Sequence, residues 1–201
     1  MSDRVLGYMN KKTTAAQNKR FNALFADSRI HTTASFIVGY PGEDQNDHIL
    51  TREYLLKEHI GFFTMTVFEF ESQDMPVWKD RSKYQLEIYD DCDDGFVWQH
   101  GGLNWSHSGM NSDEAKRLRR KLVEDIRRDD GSLAVMRSWQ YRYTFPYITG
   151  QDKKTTMRIE KLLDRLVYLM QDHRTFAERQ EALARIANEL RQYHIHGKPV
   201  G

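Results

Sequence analysis

The chain has 201 residues, of which 30 are basic and 29 are acidic, for a formal net charge of +1. This length suits one sizeable domain, or a domain with an appendage. The charge balance gives no general reason to expect nucleic acid or an anionic membrane as a partner. Because no apolar run approaches the roughly 20 residues of a membrane-spanning helix, we predict a cytoplasmic protein.

The only cysteine of the sequence is Cys92. One cysteine cannot form an internal disulfide, and by itself it cannot hold an iron–sulfur cluster or a structural zinc ion. Its acidic neighbours disfavour the thiolate, so we predict a surface thiol. The sequence therefore predicts no metal site within this chain.

The first 71 residues alternate between helical and strand patterns. We predict helices over residues 2–9, 14–27 and 44–59, and strands over 30–38 and 62–70. Phe21 and Leu24 would lie on the apolar side of the second helix, and Ile49, Leu50 and Leu56 on that of the third. A helix between two strands implies parallel pairing through a crossover.

Beyond residue 71 the pattern changes twice. Residues 72–111 are rich in glycine and acidic residues and predict a loop-rich connection, with short strands at 83–89 and 95–99. Residues 112–201 predict a C-terminal helical region, with helices over 112–130, 132–143, 153–171 and 176–193. The fold class expected from these patterns is α/β followed by α.

The most informative stretch is Ser35-Phe36-Ile37-Val38-Gly39-Tyr40-Pro41-Gly42-Glu43. It predicts a buried strand, a tight turn and the start of a helix. Such turns lie at the carboxyl ends of strands, where α/β proteins build their sites. Two glycines and a proline allow a sharp turn and close approach of a ligand, although a purely structural turn explains the same residues.

This stretch resembles the Gly-x-Ile-x-Gly-x-x-Gly-Glu motif of radical S-adenosylmethionine (SAM) enzymes, with Ser35 at the first glycine. Residues 2–11 resemble the helix start after the fourth barrel strand of that family, at a fitting distance. Met75-Pro76-Val77 and Trp105–Met110 resemble later segments, the second one typical of the cobalamin-binding branch. Residues 1–71 thus resemble part of a (β/α) barrel, from the C-terminal half of such an enzyme.

The resemblance implies that SAM would contact the turn, and it gives these candidates for cofactor binding: Ile37, Val38, Gly39, Tyr40, Gly42 and Glu43. The family's Cys-x-x-x-Cys-x-x-Cys motif is absent. A four-iron four-sulfur cluster and cobalamin are therefore expected only in a parent enzyme, and SAM binding by this chain alone should be weak or absent.

Other polar and aromatic side chains are candidates for the substrate side, namely Glu69, Glu71, His100, Trp105 and His107. Solvated carboxylates and aromatic packing of a loop are the preferred explanation of these residues, with a substrate-side role in a parent enzyme as the alternative. A basic cluster, Lys116–Lys121 with Arg127 and Arg128, could contact phosphates, but acidic residues flank it and a solvated helix face is the preferred interpretation. Catalytic residues cannot be assigned.

Two functions follow from this pattern. In the first, the chain is the C-terminal portion of a radical SAM enzyme, a methyltransferase or another radical-modifying enzyme, and is inactive without the cluster-binding half. Its partner would be that missing half or a second copy of the chain. In the second, the chain is a non-catalytic interaction or regulatory module built on the same scaffold. Neither one predicts a membrane or nucleic-acid partner. A third hypothesis, nucleic-acid binding through the basic cluster, is weaker because the net charge is near neutral.

Overall fold

The computed structural model describes residues 1–28, 30–89, 104–136, 152–171, 176–195 and 198–199. Its helices are α1 Asp3–Tyr8, α2 Ala15–Leu24, α3 Gln45–Lys57, α4 Pro76–Lys79, α5 Arg81–Tyr84, α6 Ser112–Arg128, α7 Lys153–Gln171 and α8 Phe176–Leu190. Its strands are β1 Thr33–Val38, β2 Ile60–Val67, β3 Glu87–Tyr89, β4 Asn104–Ser106, β5 Leu133–Met136, β6 His194–Ile195 and β7 Lys198–Pro199. No helix among these residues is long and apolar enough to cross a membrane.

The central feature is a parallel three-stranded sheet with the order β1-β2-β5. Residues 60–63 of β2 pair in register with residues 133–136 of β5. The α/β class and the parallel pairing of β1 and β2 through α3 are therefore confirmed. The described residues form no closed barrel, and β1 and β5 are the sheet edges among them.

The third strand corrects a prediction. Residues 132–143 were expected to form a helix, but Leu133–Met136 is a strand of the central sheet, and residues 137–150 lie outside the described ranges. The apolar run Leu-Ala-Val-Met is too short for its periodicity to distinguish a strand from a helix. The region after residue 112 is consequently not all helical.

Two predicted helix faces are also wrong. Phe21 and Leu24 of α2 are exposed, while the buried residue of that helix is Asn22. Ile49 and Leu50 of α3 are about half exposed, and Leu56 is only partly buried. The buried residues of α3 are Asp47, His48, Tyr54 and Leu55. Both helices bury polar residues at positions where an apolar stripe was expected.

Asn22 shows why a polar residue is buried in α2. Its side-chain nitrogen donates to Ile60 O, and its side-chain oxygen accepts from Ile60 N, each at 3.0 Å. These two bonds satisfy the backbone of the first residue of β2. A buried polar group is tolerated when it is hydrogen-bonded in this way.

The chain forms two compact units. The first contains Met1–Asn18, Ser35–Tyr54 and Met65–Glu124, and the second contains Lys19–Ala34, Leu55–Thr64 and Asp125–Gly201. In the second unit, Met157 of α7 packs on Phe62 and Val135, and so covers one face of β2 and β5. α7 and α8 pack on each other around a second apolar cluster.

The strand predicted over residues 83–89 is shorter than expected, because Lys83 and Tyr84 belong to α5 and only Glu87–Tyr89 is a strand. β3 pairs antiparallel with β4, with Ile88 opposite Trp105. The residues predicted for the second strand, 95–99, lie outside the described ranges, as do the acidic residues 90–94. The pairing places Trp105 at the centre of the first unit.

Candidate functional site

The site is built on the turn that follows β1. Phe68 N donates to Val38 O at 2.8 Å, which joins the ends of β1 and β2. In a parallel pair this bond places Ile37 beside Thr66 on one face. Ser35, Ile37 and Thr66 are all exposed, so this face of the first unit is uncovered. Ile37 itself is 39% exposed.

Glu43 closes the turn. Its side-chain oxygen Oε2 accepts from Gly39 N at 2.5 Å and from Tyr40 N at 3.3 Å, and its own backbone N–H donates to Tyr40 O at 2.8 Å. The carboxyl group is only 3% exposed. Burial raises the pKa of Glu43 to about 7, although the two amide donors oppose this shift.

The next residues begin α3. Asp44 Oδ1 accepts from the backbone N–H groups of Asn46 (2.8 Å) and Asp47 (3.1 Å), which is helix capping. Arg4 of α1 forms ion pairs with Asp44 and Asp47. Burial opposes the ionisation of Asp47, but the hydrogen bonds, the one from Arg4 foremost, outweigh it and lower its pKa. Both aspartates therefore lie at the positive, N-terminal end of α3.

Both glycines of the turn are required by the packing of the chain itself. Gly39 has φ of +82°, and a Cβ atom there would lie 2.4 Å from a ring carbon of Trp105 and 2.9 Å from Ala115 Cβ. Gly42 has φ of +92°, and its Cβ would meet Tyr8 at 2.8 Å. The close approach predicted at these positions is therefore made by aromatic side chains of the first unit.

Trp105 is almost fully buried against this turn. Its indole Nε1 donates to Phe68 O at 2.8 Å, and its ring contacts Phe68 edge to face. The ring of His107 stacks on Trp105 with centroids 5.2 Å apart. Trp105 thus joins the end of β2 to the turn after β1.

His107 is buried as a neutral imidazole. Gly109 N donates to its Nδ1 at 3.1 Å, so Nε2 carries the proton and donates to Gly39 O at 3.3 Å. Burial lowers its pKa. Both ring nitrogens are therefore engaged by the backbone of the first unit, and the geometry assigns His107 a positioning role at the turn.

The remaining candidates are dispersed. Glu69 and Glu71 are exposed carboxylates beyond the end of β2, and His100 lies outside the described residues. Sequence reasoning missed Ala115, Tyr8 and Gly109; a Cβ at Gly109 would lie 1.9 Å from Glu43 O. These contacts join distant parts of the sequence, and no local pattern indicates them.

The donor chemistry decides which groups fit. A four-iron four-sulfur cluster requires several cysteines, and the sequence has one. Among the described residues, no group of three histidine, cysteine or acidic side chains could hold a metal ion. The cluster does not fit this chain. The exposed apolar side chain of Ile37, beside a glycine turn, does fit one side of a flat aromatic ring such as adenine.

Glu43→Gln should change how stability depends on pH. The folded chain holds the Glu43 proton up to about pH 7, whereas the unfolded chain releases it near 4.5. The wild type should therefore lose stability, by at most about 3 kcal/mol, as the pH rises from 4.5 through 7. Urea unfolding at pH 5 and pH 8 should show this loss in the wild type and in Glu71→Gln, an exposed carboxylate, but not in Glu43→Gln. Equal losses in all three chains would contradict the assignment.

One comparison with known proteins gives a match. The chain is 36% identical over 74 residues to a tRNA-2-methylthio-N(6)-dimethylallyladenosine synthase from Jannaschia sp. (strain CCS1). The matched segment covers 36% of this chain and 16% of that enzyme. No protein-family model matches the chain, and no solved structure matches it. The match supports the radical SAM relationship that the motifs predict.

Proposed function

We propose that this chain supplies the C-terminal part of a radical SAM (β/α) barrel and acts together with a cluster-bearing N-terminal half. One observation carries the proposal. The turn after β1 is fully built, with Glu43 bonded to the amides of Gly39 and Tyr40, while Ile37 beside it stays exposed on an uncovered sheet face. A turn whose hydrogen bonds are all internal, next to an exposed apolar residue, suits a pocket whose other wall comes from a second polypeptide.

The sheet supports the same proposal. β1 is an edge strand among the described residues, and exposed strand edges favour pairing with a further strand. In a barrel, the strand before β1 would come from the N-terminal half, which would also bring the three cysteines. The cluster-bearing half and bound SAM would together supply the radical chemistry of the complete enzyme. Ile37 would contact the adenine side of SAM and fix its position, whereas the side chain of Val38 is buried and Gly39 packs against Trp105.

The reaction class within this proposal is a radical modification, with methyl transfer as one candidate. The match to a tRNA-2-methylthio-N(6)-dimethylallyladenosine synthase suggests that the substrate of the complete enzyme is a nucleic acid. The proposal that the complete enzyme belongs to the cobalamin-binding branch depends on the sequence of residues 105–110 alone. The partner is the cluster-bearing half, with self-association of this chain as the competing outcome.

A non-catalytic module is the second candidate, because one observation favours it. Gly39, Gly42, Glu43 and His107 all serve the internal packing of the first unit. A scaffold that lost its chemistry would keep these contacts. The two candidate functions predict different partners. If the chain is part of a radical SAM enzyme, Ile37 contacts an iron-bearing partner; if it is a non-catalytic module, it does not.

A capture experiment separates them. The tagged chain should retain, from anaerobic extracts of its source, a polypeptide with a Cys-x-x-x-Cys-x-x-Cys motif and stoichiometric iron and sulfide. Ile37→Glu places a charge on the uncovered face and should abolish capture. Ile49→Glu changes an isoleucine of similar exposure on α3 and should leave capture intact. Two results would contradict the proposal. In one, light scattering shows that the chain associates only with itself; in the other, Ile37→Glu captures the iron-bearing partner as well as the wild type does.

A further inference from the structure

The second unit contains a cleft that the proposed function does not use. It has a volume of about 490 Å³ and lies where the end of α6 meets α7 and α8. Its floor is apolar, formed by Leu162, Leu169, Ala182 and Ile186. Clefts of about 300 to 1,000 Å³ with an apolar lining and a few polar groups are typical of small-molecule sites.

The rim of this cleft is rich in arginine. Four arginines line it, Arg127, Arg128, Arg165 and Arg185, against two acidic side chains, Asp130 and Glu189. Arg127 and Arg128 belong to the basic cluster that the sequence predicts as a solvated face. Asp164 and Asp130 neutralise Arg127 and Arg165, so an anionic ligand would depend on Arg128 and Arg185.

Two of the arginines are held in place. Arg127 Nε donates to Asp164 Oδ2 at 2.9 Å, and its guanidinium lies over the Tyr168 ring, 5.4 Å from the centroid. Arg165 Nε donates to Arg127 O at 3.1 Å, and its guanidinium pairs with Asp130. These bonds orient both guanidinium groups before any ligand arrives, and such preorganisation lowers the cost of binding.

The other two arginines are available for a ligand. Arg128 is exposed and has no ion pair among the described residues. Arg185 is about 75% exposed, and its ion pair among the described residues is with Glu181, one helical turn away, at 3.4 Å. An exposed pair of this kind contributes little, so Arg185 can exchange it for a ligand anion at small cost.

We infer that this cleft binds a small amphiphilic anion, with an apolar body on the Leu162–Ile186 floor and a phosphate group between Arg128 and Arg185. Guanidinium groups form two parallel hydrogen bonds with phosphate oxygens, which fixes orientation as well as affinity. The floor provides the second requirement, since inorganic phosphate alone would leave it uncovered. This inference does not depend on the radical SAM relationship.

A matched series of ligands tests the inference. Calorimetric titration of the full chain with hexyl phosphate should give saturable binding of one molecule. Hexanol, hexyltrimethylammonium and inorganic phosphate should each bind at least about tenfold more weakly, because each lacks the apolar body or the anion. Equal affinity for hexyl phosphate and hexanol, or no binding of hexyl phosphate, would overturn the inference.

Arginine variants locate the site. Arg128→Gln with Arg185→Gln should weaken hexyl phosphate binding by about tenfold or more. Arg191→Gln removes an exposed guanidinium of the same unit that does not line the cleft, and it should leave binding unchanged. Circular dichroism spectra should coincide for all variants. A similar loss in Arg191→Gln would show a general charge effect and overturn the assignment.

Discussion

Gly39→Ala should destabilise the folded chain by roughly 3 to 5 kcal/mol. Two effects add at this position. The backbone has φ of +82°, which side chains other than glycine rarely adopt, and the new Cβ would lie 2.4 Å from the Trp105 ring and 2.9 Å from Ala115. Urea unfolding followed by tryptophan fluorescence and circular dichroism measures the loss.

Gly7→Ala is the matched control for this change. Gly7 lies inside α1, and a Cβ there would meet nothing within 4 Å. Alanine should therefore be neutral or stabilise the chain, by up to about 1 kcal/mol. A stability of Gly39→Ala equal to that of Gly7→Ala would contradict the packing described at the turn.

A double variant separates the clash from the backbone strain. Phenylalanine at position 105 lacks the indole carbons that approach Gly39, so the Gly39→Ala change should cost less in a Trp105→Phe background than in the wild type. The coupling should exceed about 1 kcal/mol, as expected for residues in direct contact. If the stability losses of Gly39→Ala and Trp105→Phe are strictly additive, the whole loss at Gly39 comes from the backbone conformation.

The second large effect concerns two buried lysines of α7. Lys153 is fully buried, with its ammonium nitrogen 2.9 Å from Thr32 Oγ1, and Lys161 donates to Ile126 O at 2.6 Å and to Ser132 O at 3.0 Å. Burial lowers the pKa of each lysine to about 8. Both lie within the second unit.

The sign of the pH effect follows from these values. Between pH 8 and 10.5 the unfolded chain keeps protons that the folded chain has released, so stability should rise with pH over this window. The rise is at most about 3 kcal/mol for each lysine. Below pH 8 both states hold the protons and the slope vanishes.

Lys153→Met tests this account against Lys154→Met. Methionine at position 153 should remove about half of the rise between pH 8 and 10.5. Lys154 is only partly buried and pairs with Asp27, so Lys154→Met should leave the rise unchanged. Chemical unfolding at pH 8, 9 and 10.5 gives the slopes. If the free energy of unfolding rises equally with pH in the wild type and in Lys153→Met, the proposed role of Lys153 is contradicted.

The sequence predicted the elements whose pattern is long or strongly marked. The strand, turn and helix around residues 35–57 and the helix over residues 153–171 form as predicted, because glycine, proline and acidic capping residues mark the first and a sustained apolar stripe marks the second. β5 was not predicted because a run of four apolar residues is too short for its periodicity to distinguish a strand from a helix. Helix faces failed where Asn22 and His48 are buried in place of apolar residues.

The site itself was predicted in part. The turn residues 39–43 could be named from their sequence pattern, but the partner of Gly39 could not. Trp105 lies 66 positions away, and its contact with the turn depends on the β3–β4 hairpin and on the bond from its indole to Phe68 O. Long-range packing of this kind leaves no local signature in one sequence.

The most direct test of the central proposal is titration of SAM into the iron-loaded complex of this chain with its captured partner. The account predicts one SAM per complex, no measurable binding to this chain alone, and affinity at least fivefold lower in Ile37→Ala than in the control Ile49→Ala, roughly 1 kcal/mol of lost apolar contact. A complex that binds no SAM, or that binds it equally well with Ile37→Ala, would contradict the account.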